Sequence, residues 1–299
     1  MSLVPSDHGA GINTKPTFPA TSVIQYDKKV LVALPWQKSV NPITSFCVSQ
    51  LMDRRRTAAM ISFGDAFVAH TRNSCADVFL ESPCEWMLMI DDDMILPFGD
   101  PGWFRTYTGF QFAEKFMSLN AIDRLMSHKK TVVGALYFGR HPAAPAVFNE
   151  GQADSAVSVY CRRGPHDEIR ATKWVGTGCL LVHRSVFEAI ERKFPRLARN
   201  GKRGGNWFTS TEASVVSKLE QIRSELQQGP LDGTKAYKAL EGVTAALALA
   251  EHENMLGFGE DVSFCMRAAA VGHPAHVDLG LICGHIGHAV YGPHNTGLR

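Results

Sequence analysis

Two short, unbroken apolar runs, Val30–Leu34 and Trp86–Ile90, constrain the fold of this chain most. A strand that is apolar at every position rather than every second one has to be covered on both faces, which is the situation inside a parallel sheet. After the first run, Asn41-Pro42 gives a helix cap followed by Pro at the first helical position, and Ile43, Phe46, Cys47 and Leu51 recur at helical spacing. A strand around Ala58–Phe63 and a helix around Phe67–Leu80 lead to the second run. This alternation predicts a parallel α/β sheet. A helix over Phe112–Ser127 and a strand over Thr131–Leu136 extend it. Beyond them, strand-like segments at Val147, Val157–Cys161, Glu168–Val175 and Cys179–Val182 follow one another closely, so the second half is expected to be mixed rather than purely parallel.

Two regions depart from that plan. Residues 1–27 mix Gly, Pro, Ser and Thr without a period and read as an N-terminal arm, leaving 28–299 as a single domain. Thr209-x-x-Glu212 has the form of a capping box, and Val215, Leu219, Ile222 and Leu226 follow as an apolar seam. Gly229-Pro230 breaks the seam, and Ala236, Leu240, Val243, Leu247 and Ala250 resume it. The spacing predicts an inserted antiparallel helical hairpin at about 210–251, a self-contained packing element first, with a dimerisation arm or an acceptor clamp as the alternatives.

Composition excludes several classes. With 31 Lys plus Arg against 29 Asp plus Glu, the net charge is +2, which rules out a histone-like polycation. The longest apolar stretches, Met87–Ile90 and Val243–Ala250, fall far short of the ~20 residues a bilayer requires, and the start lacks a basic-then-apolar signal pattern. Seven cysteines without C-x-x-C spacing fit reduced thiols. A soluble, cytoplasmic protein is the expectation.

Chemistry concentrates where the second apolar run ends. Asp91-Asp92-Asp93 follows Ile90 directly, at the carboxyl end of a buried strand, where open α/β sheets place their ligand crevices. In extended chain Asp91 and Asp93 share a face, so their carboxylates converge and repel unless a cation lies between them. Mn²⁺ or Mg²⁺ satisfies such oxygen ligands while also accepting phosphate oxygens; the competing reading is an acidic turn that caps the next element. Gly259-Glu260-Asp261 opens an apolar helical pattern closed by Gly272. Its acids suit either the helix dipole or a reactive role, with Asp261 as the base that takes a proton from an attacking hydroxyl. Gly284-His285-Ile286-Gly287-His288 sets two histidines among small residues, and His285 becomes the third metal ligand beside Asp91 and Asp93.

The ordered set Leu34-Pro35, Thr71-Arg72-Asn73, Asp91-x-Asp93, Trp174–Cys179, Trp207-Phe208, Gly259-Glu260-Asp261 and Gly284-His285 resembles the GT-A nucleotide-sugar glycosyltransferases. The resemblance spans about 28–290, the hairpin excepted. It implies a GT-A (Rossmann-like) mixed sheet flanked by helices and a metal-dependent transfer of sugar from a nucleotide-diphosphate donor, a UDP-sugar foremost, to a hydroxyl. By the same resemblance Leu34 and Pro35 border the base, and Arg72 and Asn73 face the nucleotide. Asp91 contacts the ribose or a metal-bound water, with Asp92 also on the donor side, and Asp93 and His285 bind the metal. Gly176, Thr177 and Gly178 line the sugar pocket, or form no more than a tight turn. Trp207, Phe208 and Glu260 stand on the acceptor side, although a core aromatic pair explains the first two equally.

For the acceptor, Arg192, Lys193, Arg196, Arg199, Lys202 and Arg203 place six basic residues in twelve positions. Such a patch suits a polyanion or is simply a solvated surface. DNA bearing hydroxymethylated pyrimidines is the leading acceptor, and small soluble GT-A enzymes encoded by phages resemble this arrangement; a glycan or protein acceptor is the alternative. Competing classes are a metal-dependent nucleotidyltransferase or phosphoesterase and a noncatalytic binder of nucleotide sugars or DNA.

Overall fold

The run that starts at Val30 forms strand β1 (Val30–Trp36), buried from Val30 to Pro35. The structure is a computed structural model, and it describes residues 30–36, 39–52, 57–64, 68–139, 147–148, 164–196, 204–205, 207–209, 233–234, 236–239, 241–243 and 259–292. The arm expected at 1–27 lies outside the described residues, as does most of the hairpin expected at 210–251, of which 233–234, 236–239 and 241–243 are helical.

Helix α1 (Pro42–Leu51) starts where Asn41 accepts a hydrogen bond from the N–H of Ile43, and it buries Thr44, Cys47, Val48 and Leu51. Strand β2 (Thr57–Gly64) lies parallel to β1, helix α2 (Val68–Glu81) crosses back, and β3 (Trp86–Ile90) pairs parallel with the other side of β1. Successive crossovers in opposite directions make the gap between β1 and β3 a topological switch point, with a crevice at the strands' carboxyl ends. The acidic triplet leads from β3 into the short strand β4 (Met94–Ile95).

Helix α3 (Pro101–Thr108) has a start signal of its own in Asp100-Pro101, where the Asp100 carboxylate accepts from the Trp103 N–H, and Gly109 ends it at φ 69°. The single helix expected over Phe112–Ser127 is two, α4 (Glu114–Met117) and α5 (Ala121–Ser127). Asn120 breaks the run, because its side chain accepts from the N–H groups of Ile122 and Asp123 and so starts a new helix.

Strands β5 (Val132–Leu136), β6 (Val147–Phe148), β7 (Ile169–Thr172), β8 (Trp174–Val175) and β9 (Cys179–His183) follow. Helix α6 (Arg184–Lys193), the strand pair β10 (Pro195–Arg196) and β11 (Gly204–Gly205), and helix α7 (Glu260–Ala270) precede β12 (Ala275–Ile282), β13 (Gly284–Ile286) and β14 (Val290–Tyr291). The main sheet has the order β2-β1-β3-β9-β5-β12-β7. Strand β9 runs antiparallel between β3 and β5, and β7 runs antiparallel beside β12, so the sheet is mixed. One apolar core extends from Val30 to Cys283. No helix among the described residues is long and apolar enough to cross a membrane.

Candidate functional site

The carboxyl end of β3 meets two other elements. Beside it, the turn Gly176–Gly178 between β8 and β9 is buried, and the Asp91 N–H donates to the Gly178 carbonyl at 3.1 Å. Below it, β4 pairs antiparallel with β13, which sets Met94 opposite His285, and the Ile286 N–H donates to the Asp93 carbonyl at 2.7 Å. Residues nearly two hundred positions apart are thereby brought together: His285 Nε2 lies 3.3 Å from Asp93 Oδ1.

The proton arrangement of His285 follows from its other nitrogen. Nδ1 lies 2.9 Å from the Phe138 carbonyl, which only accepts, so Nδ1 carries the hydrogen. A neutral His285 therefore turns the lone pair of Nε2 toward the Asp93 carboxylate. Two acceptors at that spacing require a positive species between them, either a proton or a cation. Metal-ligating histidines are commonly held in this way, through a backbone carbonyl on the far nitrogen. One carboxylate and one imidazole are ligand types that a divalent cation such as Mn²⁺ or Mg²⁺ can take as part of its shell.

Asp91 does not complete that set. Its Oδ1 lies 2.6 Å from Arg72 Nη2, and the other arm of the guanidinium bonds Glu260 at the start of α7. Among the described residues no group of three His, Cys, Asp or Glu side chains is placed to hold a metal ion. Of the expected trio, Asp91 is thus turned to Arg72, whereas Asp93 and His285 lie side by side. Burial works against the Arg72 charge, but Asp91 and Glu260 more than offset it and hold the side chain protonated. Arg72 Nε is buried without a hydrogen-bond partner.

Asp261 follows Glu260 in the first turn of α7, and its Oδ1 accepts from the N–H of Val262 at 2.8 Å. Burial, and then the adjacent Glu260 charge, push its carboxyl above the ordinary carboxylate range. Tyr137 links the Gly178 turn to His285 and has no signal in the sequence beyond its place after an apolar strand. The Gly178 N–H donates to its hydroxyl at 3.2 Å, and its ring meets the His285 ring edge-on at 5.5 Å. Burial and the charges of Asp91 and Asp261 raise its phenol well above the usual value.

The remaining candidates fall in three places. Leu34 and Pro35 are buried at the end of β1, and the Asp92 carbonyl accepts from the Asn41 N–H at 2.9 Å, which ties α1 to the acidic turn. Asn73 is buried and clamps the backbone of Phe208, donating to its carbonyl at 2.8 Å and accepting from its N–H at 3.0 Å. Trp207 and Phe208 are fully buried; Phe208 stacks on Phe264, and the Trp207 indole donates to the Phe187 carbonyl. Asn73, Trp207 and Phe208 are thus packed together in the interior, the arrangement of a core aromatic pair. Of the basic segment 192–203, Arg192 and Lys193 end α6, and Lys193 donates to the Ala270 carbonyl; Arg199, Lys202 and Arg203 lie outside the described residues.

No family model matches the chain, and no curated protein matches it. Among solved structures, the chain is similar to A197 from STIV, with 13% identity and a TM-score of 0.43 over 86% of this chain and 85% of that one. It is also similar to the mannosyltransferase PcManGT from Pyrobaculum calidifontis in complex with GDP-Man and Mn²⁺, with 13% identity and a TM-score of 0.30 over 82% of this chain and 81% of that one.

Proposed function

We propose that residues 28–299 form a cytoplasmic glycosyltransferase domain that moves a sugar from a nucleotide-diphosphate donor, a UDP-sugar foremost, to a hydroxyl acceptor. The observation that carries the reading is the meeting of Asp93 and His285 beyond the carboxyl end of β3, with Asp261 at the start of the helix that Arg72 ties to that strand end. Asp93 and His285 would hold Mn²⁺ or Mg²⁺, which when bound supplies charge neutralisation for a departing diphosphate.

The chain's own residues account for the rest. Arg72 joins the acidic strand end to the start of α7 and so fixes Asp261 relative to Asp93. Asp261 takes the proton of the acceptor hydroxyl as its oxygen bonds to the anomeric carbon, and the bond from that carbon to the diphosphate oxygen breaks. A raised carboxyl pKa strengthens it as a base for this purpose. The buried Gly176–Gly178 turn, with Tyr137 behind it, borders the place where the sugar would lie.

On the acceptor side, the basic segment 192–203 favours DNA bearing hydroxymethylated pyrimidines, as in a phage-type enzyme; a glycan or protein acceptor is the alternative. A panel of nucleotide sugars incubated with the protein and Mn²⁺ tests the donor half. Release of sugar or nucleoside diphosphate supports a transferase, whereas binding without turnover supports a noncatalytic protein. Addition of modified duplex DNA then tests the acceptor, and donor hydrolysis without transfer to that DNA would eliminate it.

A further inference from the structure

Four large hydrophobic side chains are exposed among the described residues, and two of them, Phe46 and Tyr107, belong to one cluster. Phe46 on α1 meets Trp103 on α3 at 5.2 Å and Phe98 at 5.9 Å. Phe98 meets Trp103 at 4.9 Å, and Trp103 stacks on Tyr107 at 4.5 Å with an interplanar angle of 28°. The inner side of α1 is already filled by Cys47, Val48 and Leu51, so the core does not require Phe46, which stays 43% exposed.

Among the described residues of α1, α3 and their caps, the charged groups are one of each sign, the exposed Asp100 that caps α3 and Arg105 within it. Helix α1 carries no charged residue, and its exposed polar groups are Ser45, Ser49 and Gln50. Helix α3 carries one charged residue, Arg105. The hydroxyls of Ser49 and Thr106 donate to the carbonyls of Phe46 and Gly102 on this exposed surface, and the Ser49 oxygen also accepts from Gln50 at 3.5 Å. A polyanion would want several cations, and the described residues of α1 and α3 supply one, Arg105. Pyranose rings want what is present: aromatic faces for their C–H sides, and uncharged donors and acceptors for their hydroxyl edges.

The cluster is also tied to the candidate centre. The N–H of Asn41, the cap of α1, bonds the carbonyl of Asp92, and Phe46 lies five residues along that helix, a rise of about 8 Å. Phe98 and α3 follow directly from β4, the continuation of the same acidic turn.

We propose that Phe46, Phe98, Trp103 and Tyr107 form a stacking platform for a neutral oligosaccharide, the acceptor of the transfer; the word acceptor rests on the transferase reading above. A platform of this kind makes the glycan, named above as the alternative, the acceptor in place of DNA. Calorimetric titration of the full chain with maltooligosaccharide, cellooligosaccharide, mannooligosaccharide, chitooligosaccharide and oligothymidylate tests it, beside the variants Phe46→Ala and Tyr107→Ala. Both positions are exposed, so both variants should fold. The expected result is saturable binding of at least one saccharide, weakened about tenfold by each substitution, with any nucleotide-sugar binding unchanged. Failure of all four saccharides to bind, or binding indifferent to both substitutions, would overturn the proposal. So would oligothymidylate binding that depends on Phe46, or a dimer that Phe46→Ala converts to a monomer in light scattering. Saccharide binding that depends on Phe46, in a protein that never turns over a nucleotide sugar, would support the platform and overturn the transferase reading instead.

Discussion

Replacement of Asp278 by Asn should cost this protein a large part of its stability while altering almost no shape. Asp278 is fully buried on β12, where its carboxylate accepts from Arg124 Nε at 2.7 Å, Arg124 Nη2 at 3.2 Å and His128 Nε2 at 2.6 Å. It also accepts from the N–H groups of Gly280 and Leu281 at 2.8 and 3.3 Å, where the register of β12 against β5 slips. Asparagine keeps one oxygen for those two N–H groups, but its amide nitrogen then faces the donors of Arg124 and His128. Two charge-assisted hydrogen bonds are lost at about 1.5–3 kcal/mol each, and Arg124 is left largely buried. Arg124 retains Asp167 at 3.2 Å, an exposed partner, which moderates the loss. The expected cost is about 3–5 kcal/mol, a fall of about 5–8 °C in Tm for a chain of 299 residues.

Urea denaturation of the two proteins across pH measures this and checks its cause. Burial alone would raise the Asp278 carboxyl, but hydrogen bonds from Arg124 and His128 outweigh it and hold the pKa below the usual value. A group depressed in the folded state stabilises above its unfolded pKa, about 3.9, and loses that contribution as pH falls through the folded value. The gap between wild type and Asp278→Asn should therefore be constant above about pH 5 and narrow below about pH 4. A loss under about 1 kcal/mol, or a gap that does not narrow in acid, would refute the reasoning.

Asp261→Asn should leave donor binding intact and lower transfer by about 10²–10⁴-fold, read as nucleotide-sugar turnover beside donor affinity. In the wild type, turnover should fall as acid protonates Asp261, and the midpoint should lie above the ordinary carboxylate range because the pKa is raised. Gly178→Ala should destabilise by about 1–3 kcal/mol in urea melts, since a Cβ there would stand 2.8 Å from the Tyr137 ring and 3.0 Å from the Met94 sulfur. Arg72→Met should cost about 2–4 kcal/mol in the same assay, because Asp91 and Glu260, each about a quarter exposed, lose their shared counter-charge.

The parts of this fold legible in the sequence are those decided by neighbours along the chain. The apolar runs at Val30 and Trp86 form buried strands, and Asn41-Pro42 starts a helix as its cap chemistry dictates. The acidic triplet ends β3, and Gly259-Glu260-Asp261 opens α7. What was not legible depends on pairing at long range. Nothing local to Cys179–His183 indicates that this strand inserts antiparallel between β3 and β5, and nothing local to Arg72 indicates that Glu260, 188 residues later, shares it with Asp91. Residue type alone links Asp93 with His285 in the sequence, and the β4–β13 pairing is what brings them together. Trp207-Phe208 is ambiguous in sequence for another reason: an aromatic pair reads alike in a core and at a binding surface, and the clamp by Asn73 and the stack on Phe264 are long-range contacts.

Thermal unfolding of the full chain with nucleotide sugars, with and without Mn²⁺, bears most directly on the pair at the centre of the proposed function. A donor at a hundred times its Kd should raise stability by about 2.7 kcal/mol, or about 4 °C here, only when Mn²⁺ is present, and Asp93→Ala and His285→Ala should each abolish that dependence. A shift of equal size without the ion, or one that persists in both variants, would contradict the assignment.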